Sequence, residues 1–307
     1  MLVLVVWRVG TGPFLDGVEA VDARALLAAA GIVFVTTLCS AWRWTIVADG
    51  LGVRLSLGPA VAAYYRALFL NLTLPSGVAG DVYRGVKHGR EVHDVGRALR
   101  AVVWERAAGQ VVQVALTIAV LLVLPSPVRS SMPFVVVAVV VAVGVVAVAA
   151  RLRAQAGGPR SRSRLARLRS AVATDLRDGV LRRSALPAVT FTSIVIVAGH
   201  TLTFLIAARA VGVTAPISRL LPLAALALLA MVLPNIGGWG PREGATAWAF
   251  SAAGLGAAQG AAAAVTYGVL VLVASLPGAA VLLIEWIPRE RLTLPSSRSK
   301  TNEGWFY

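Results

Sequence analysis

The stretch Ala25-Leu26-Leu27-Ala28-Ala29-Ala30-Gly31-Ile32-Val33-Phe34-Val35-Thr36-Thr37-Leu38-Cys39-Ser40-Ala41-Trp42-Arg43-Trp44-Thr45-Ile46-Val47 decides the fold class. Its 23 residues carry a single charge, Arg43. A helix that crosses the hydrocarbon of a bilayer needs about 20 apolar residues, and a soluble core helix rarely reaches that length without polar positions. The run closes on Trp42-Arg43-Trp44, which reads as an aromatic and basic anchor at the membrane–water interface. Five more stretches of the same kind follow: Ala101 to Leu124, Pro133 to Ala150, Leu186 to Val211, Leu220 to Pro234 and Gly260 to Trp286. Pro133 to Ala150 is valine-rich, but its length and setting favour a helix over a strand.

Composition agrees. Hydrophobic residues are 58% of the 307-residue chain, charged residues 14%, and the mean hydropathy is +0.78. A water-soluble surface cannot be built from so few polar groups. The expected fold is therefore all-α, a polytopic membrane helix bundle of about six to eight transmembrane segments, two of them broken or re-entrant. The net charge of +15 raises nucleic acid as a partner. The placement of the arginines, in short segments between apolar runs, excludes it. The single cysteine, Cys39, permits no internal disulfide, and His88, His93 and His200 are too scattered for a zinc motif. Neither a metal nor a cofactor is expected. His200 reads as a satisfied residue of the bundle.

Charge also sets orientation and domain limits. The segment 151–187 holds ten arginines against Asp175 and Asp178. The segment 82–100 holds Arg84, Lys87, Arg90, Arg97 and Arg100, and the tail holds Arg289, Arg291, Arg298 and Lys300. The positive-inside rule puts these two loops and the C-terminus in the cytoplasm of a plasma-membrane protein, with the 125–133 turn outside. Residues 1–24 read as an N-terminal segment compatible with the end of a truncated first helix, residues 25–287 as the membrane domain, and residues 288–307 as a cytoplasmic tail. The plain reading of 151–187 is a topology-setting linker; the sharper one is an amphipathic helix on anionic lipid.

Three constellations interrupt the apolar pattern. In the first, an apolar run carries Arg66 and Asn71, breaks at Pro75 and turns through Ser76-Gly77-Val78-Ala79-Gly80 to Asp81 and Arg84. In the second, Leu233-Pro234 precedes Asn235-Ile236-Gly237-Gly238-Trp239-Gly240-Pro241, followed by Arg242 and Glu243. Proline ends a helical ladder, glycine permits the sharp turn, and irregular backbone at membrane depth persists only against protein or a wet cavity. Short broken segments at corresponding places in two halves are the sequence mark of a transport site. The third is Trp104-Glu105-Arg106, inside an apolar run, where charges are expensive and pair with one another or face a polar cavity. Adjacent helical residues point about 100° apart, so Glu105 and Arg106 are expected to pair elsewhere, with Asp81 and Glu243 as natural partners for Arg106, Arg84 or Arg242. Each constellation also has a purely structural reading: an Asp81–Arg84 pair three residues apart, Glu243 on the positive end of a helix, and a buried Glu105 ion pair.

These motifs resemble the transmembrane-region family of lysylphosphatidylglycerol synthases, whose members are flippase-like integral membrane proteins. The family's Asn-x-x-x-Pro-x-x-x-Gly-Gly-Asp-x-x-Arg pattern looks like Asn71, Pro75, Ala79, Gly80, Asp81 and Arg84, with Ala79 departing from the first glycine. Its Glu-Arg pair looks like Glu105-Arg106, and its later Pro-x-x-x-Gly-x-Gly-x-x-Glu stretch looks like Pro234, Gly238, Gly240 and Glu243. The resemblance spans roughly residues 30–285 and implies lipid handling. In multidomain members the membrane region moves aminoacylated phosphatidylglycerol between leaflets, and a separate soluble domain performs the aminoacyl transfer. That synthase domain is absent from these 307 residues.

The expected function is an integral membrane lipid translocase moving a phospholipid or lipid-linked precursor between leaflets. Its partners would be membrane lipids, anionic or polyprenyl-phosphate-linked. The expected substrate-binding set is Arg66, Asn71, Pro75, Gly80, Asp81, Arg84, Glu105, Arg106, Pro234, Gly238, Gly240, Arg242 and Glu243. Guanidinium matches phosphate geometry, and the carboxylates would hold the arginines, receive a cationic headgroup or carry a proton. Two alternatives stand beside it: a membrane-embedded transferase on a lipid-linked substrate, and a non-catalytic partner of a cell-envelope glycosyltransferase. No G-x-x-x-x-G-K-[ST], G-x-S-x-G or H-E-x-x-H motif occurs in the chain.

Overall fold

The computed structural model describes residues 12–75, 77–128, 170–232 and 239–286. The expected helix 133–150, most of the basic segment 151–187, the tail 288–307 and the positions Pro234 and Gly238 lie outside the described residues, as does Ser76.

The described chain is an all-α bundle. Its helices are α1 (Gly12–Glu19), α2 (Ala23–Gly50), α3 (Leu57–Thr73), α4 (Ala79–Glu91), α5 (Val95–Val123), α6 (Leu186–Ala210), α7 (Ile217–Ala230), α8 (Pro241–Ala252), α9 (Ala257–Ala274) and α10 (Leu276–Trp286). Four spans are long and apolar enough to cross a membrane: α2, α5, α6, and α9 continuing into α10, at 28, 29, 25 and 30 residues. At about 1.5 Å per residue each exceeds a hydrocarbon core of about 30 Å. Local chemistry starts them. Asp22 accepts the Ala25 N–H at 2.7 Å to cap α2, and Asp94 accepts the Arg97 N–H at 2.8 Å to cap α5.

Two shorter helix pairs fold back on themselves. His88 Nε2, near the end of α4, donates to the Val53 carbonyl just before α3, at 3.2 Å. The α3–α4 hairpin therefore enters and leaves at one end of the bundle. That end also holds Arg54, Lys87, Arg90, Arg97, Arg100, Arg177 and Arg182. The α7–α8 hairpin does the reverse. Val213 and Leu220 before and in α7 share a core cluster with Ala249 and Phe250 of α8, with Ala25 and Ala29 at the start of α2, and with Ala207 and Ala208 at the end of α6. Its ends thus lie at the opposite end of the bundle. The two broken segments are re-entrant hairpins inserted from opposite ends, and Gly77 after α3 and Met231 and Val232 after α7 lie inside the bundle. Gly80 permits the close crossing of the first. A Cβ there would collide with the backbone O, Cα and C of Ala67 on α3.

Three expectations change. The stretch Leu220 to Pro234 is not a span of its own: α7 covers Ile217–Ala230, 14 residues or about 21 Å, and forms one arm of a hairpin. The stretch 82–100 is not a loop. Residues 82–91 belong to α4 and 95–100 to α5, with only 92–94 between them. Gly85 and Gly89 let α4 lie against Leu99 and Val95, so the basic side chains project from packed helices. Nor is Trp42-Arg43-Trp44 an interfacial anchor as a unit. Trp42 is exposed, but Arg43 and Trp44 are buried, because Arg43 has carboxylate and hydroxyl partners inside the bundle.

Candidate functional site

The first hairpin delivers its polar residues to the bundle interior. Asn71, in the last turns of α3, accepts the Gly80 N–H through Oδ1 at 2.8 Å and donates from Nδ2 to Asp81 Oδ2 at 2.9 Å. One amide thus closes the turn and holds the carboxylate. Arg84 Nε donates to Asp81 Oδ1 at 2.9 Å, and Arg84 Nη2 donates to Glu105 Oε2 on α5 at 2.8 Å and to the Tyr64 hydroxyl on α3 at 3.2 Å. The Arg84 guanidinium lies between two rings, 4.4 Å from the centroid of Trp44 and 4.2 Å from that of Tyr64. The other oxygen of Glu105 accepts from Arg43 Nε at 2.8 Å and Nη2 at 2.5 Å, and Arg43 Nη1 reaches Ser193 Oγ on α6 at 2.8 Å. Arg106 Nη2 donates to Asp81 Oδ2.

The result is one continuous network across α2, α3, α4, α5 and α6. Among the described residues it contains three guanidiniums and two carboxylates, so one positive charge is in surplus. Four of the five ionic side chains are within 8% of full burial. Arg106 is the exception, with a side chain 45% exposed. A half-exposed cation with a single carboxylate partner retains strong donors for a further anion.

Arg106 faces a cavity of about 230 Å³. Its lining combines polar side chains, Thr36, Thr37, Ser40, Arg43, Asn71, Gln110, Gln113, His200 and Tyr267 among them, with apolar ones such as Val33, Leu68, Val197, Leu228 and Val271. The lining residues of α2, α5 and α6, and those of the α9–α10 span, fall near the middle of each helix. A polar cavity with excess positive charge therefore lies at mid-height of all four candidate spans. Both hairpin turns reach it, through Gly77 after α3 and through Met231 and Val232 after α7.

The predicted residues divide. Asn71, Gly80, Asp81, Arg84, Glu105 and Arg106 come together as one network, and Asn71 and Arg106 line the cavity itself. Pro75 lies in the turn between α3 and α4. Arg66 is elsewhere. It is buried, donates to Glu285 on α10 at 2.5 Å and sits 4.9 Å from the Tyr83 ring centroid; Glu285 also takes Lys87 at 2.6 Å. Arg242 and Glu243 form a separate, neutral pair: Arg242 Nε donates to Glu243 Oε1 at 2.9 Å, and Glu243 Oε2 accepts the Gly240 N–H at 2.6 Å at the start of α8. Neither is a lining residue. Their connection to the cavity is indirect, through the Tyr267 ring, whose centroid is 5.0 Å from the Arg242 guanidinium.

Several cavity residues escaped the sequence reading: Arg43, Ser193, Gln110, Gln113, His200 and Tyr267. A signal for most of them exists in the sequence. Polar residues recur one and two turns apart inside otherwise apolar runs, as Thr36-Ser40-Arg43, Arg106-Gln110-Gln113 and Ser193-His200. Each series is a stripe along one helix face.

The family model described as the lysylphosphatidylglycerol synthase TM region matches residues 1–278. No curated protein and no solved structure matches the chain.

Proposed function

The chain belongs to the lysylphosphatidylglycerol synthase TM-region family, membrane proteins of lipid metabolism or transport, and from this premise we propose that it is a lipid translocase that passes an anionic headgroup through its central cavity. The observation that carries this reading is the Arg106 guanidinium, in surplus charge, facing a cavity lined by both polar and apolar side chains at the middle of the spanning helices. An anionic headgroup cannot enter hydrocarbon without losing its hydration, at a cost of several kcal/mol or more. A fixed guanidinium, amides and hydroxyls replace that hydration in advance. The apolar lining residues accommodate the glyceryl or polyprenyl end of the same amphiphile.

The two hairpins supply a physical basis for access from either side. They enter from opposite ends and both turns line the cavity, so withdrawing one turn opens the site toward one leaflet while the other closes it. Arg106 is the shared element. It binds Asp81 when the cavity holds no phosphate and shares its donors with a phosphate when one arrives. The basic end faces the cytoplasm of the plasma membrane under the positive-inside rule. Asn71, Gly80, Asp81, Arg84 and Glu105 hold Arg106 in place; Arg242 and Glu243 act from behind Tyr267.

The test is leaflet exchange in proteoliposomes of labelled phosphatidylglycerol-type and polyprenyl-phosphate-linked lipids. Arg106→Gln makes the network neutral while leaving Asp81 with Asn71 and Arg84. The variant is expected to unfold close to wild type and to lose at least about tenfold in exchange rate, the loss of one charge-assisted hydrogen bond or more. Wild-type protein that is folded and moves no lipid, or a folded Arg106→Gln that moves lipid at the wild-type rate, overturns the proposal.

A further inference from the structure

His200 lies at mid-height of α6 and lines the cavity beside Tyr267 of α9. Its Nδ1 is engaged by the Tyr267 hydroxyl at 2.9 Å. Nε2 has no protein partner among the described residues. The neighbour behind Tyr267 bears on which nitrogen carries the proton. The Arg242 guanidinium lies 5.0 Å from the Tyr267 ring centroid, and a cation at that position draws electron density out of the phenol. The hydroxyl then becomes the better donor and the poorer acceptor. A hydroxyl that donates to Nδ1 leaves the hydrogen of the neutral imidazole on Nε2. That nitrogen is the one left to the cavity. In that tautomer the cavity is offered an imidazole N–H from α6 together with the half-exposed side chain of Arg106 from α5.

We propose that His200 is a ligand-holding residue of this cavity, its Nε2–H donating to one oxygen of a headgroup phosphate whose other oxygens meet Arg106, and that Tyr267, backed by the Arg242–Glu243 pair, is the positioning residue that sets the imidazole tautomer. This rests on the reading of the cavity as an anionic-headgroup site and extends it. It also gives the second hairpin a task in binding. Glu243 ties Arg242 to the first turn of α8 through the Gly240 N–H, so the start of α8 is linked through Tyr267 to the ring that meets the ligand. A phosphate held by Arg106 and His200 together joins the polar network of the first hairpin to the polar pair of the second.

The experiment measures binding and leaves transport aside. Full-length protein in uncharged detergent is titrated with short-chain phosphatidic acid, with an uncharged short-chain glycolipid as reference, and the shift in unfolding temperature gives the affinity. His200→Leu is expected to weaken phosphatidic acid binding about tenfold or more, the loss of one hydrogen bond to a charged group. His200→Gln, which keeps a side-chain N–H, recovers most of that loss. Tyr267→Phe weakens binding less, and the double variant His200→Leu/Tyr267→Phe is no worse than His200→Leu alone, because Tyr267 acts through the ring. The proposal is overturned by a His200→Leu protein that binds as wild type, by a folded His200→Gln protein that binds as poorly as His200→Leu, or by additive losses in the double variant. His200-dependent binding without any leaflet exchange refutes the translocase and leaves His200 in its role. Exchange that needs Arg106 and ignores His200 does the opposite.

Discussion

Glu105→Gln tests whether the buried network is held together by its charges. Glu105 accepts three hydrogen bonds from two guanidiniums, at 2.8, 2.5 and 2.8 Å, and its side chain is fully buried. The amide retains one acceptor oxygen, but its NH₂ turns two hydrogens toward donors. Arg84 keeps Asp81 and the Tyr64 hydroxyl; Arg43 keeps Ser193 Oγ and at most the single neutral amide oxygen. The surplus charge of the network doubles, and most of the cost falls on Arg43, whose side chain is 7% exposed. Removing one partner of a buried ion pair costs about 3–5 kcal/mol. A second substitution sharpens the test. Glu105→Gln/Arg43→Met removes the stranded cation and restores the original surplus, and replacing a whole buried pair with apolar groups is often nearly neutral. The double variant is therefore expected to regain more than half of the lost stability. Equilibrium unfolding by SDS titration in mixed micelles measures both. A Glu105→Gln protein within about 1 kcal/mol of wild type, or a double variant no more stable than the single one, would refute the reasoning, since a buried pair broken on one side cannot be that cheap.

Two glycine substitutions separate a backbone obstruction from a side-chain one. Gly80→Ala sets a methyl against the backbone of Ala67, which cannot move without spreading the α3–α4 hairpin, so a loss on the order of 1–3 kcal/mol is expected in the same titration. Gly268→Ala meets the Arg242 Nη2 at 2.5 Å and the tip of the Trp239 ring at 3.0 Å, both ends of side chains that can shift. Its stability is expected to stay within about 1 kcal/mol of wild type, while phosphatidic acid binding falls because Arg242 leaves the Tyr267 face. Equal losses from the two variants would contradict this distinction.

The order in which the polar residues would meet was partly written in the chain. Asn71, Gly80, Asp81 and Arg84 sit within fourteen positions of one another around a Pro-Gly break, so their assembly needs only a local turn. The pairing of Glu105 away from Arg106 followed from helical geometry, since neighbours on a helix diverge. Arg66 and Arg242 share the residue type and the setting of the network arginines, and no local rule separates them. Arg66 turns to Glu285, 219 positions away, because α10 packs on α3. Arg43 passed for an interfacial anchor because one arginine between two tryptophans near the end of an apolar run looks the same from outside. Its partners Glu105 and Ser193 lie 62 and 150 positions away.

The sequence by itself determined the class of the fold, the positions of the four described spans and the two breaks between them, while Leu220 to Pro234 passed for a span until the structure made it one arm of a hairpin. Length, hydropathy and the punctuation of proline and glycine act locally, and lipid leaves the backbone few alternatives to a helix. Which end each hairpin enters, which arginines share a carboxylate and which cation is left over were decided only by the tertiary structure. Charge balance in a buried network is a property of side chains brought together from five helices. Arg106 is in surplus because Arg43 and Arg84 already occupy Glu105, and no stretch of sequence contains that sum.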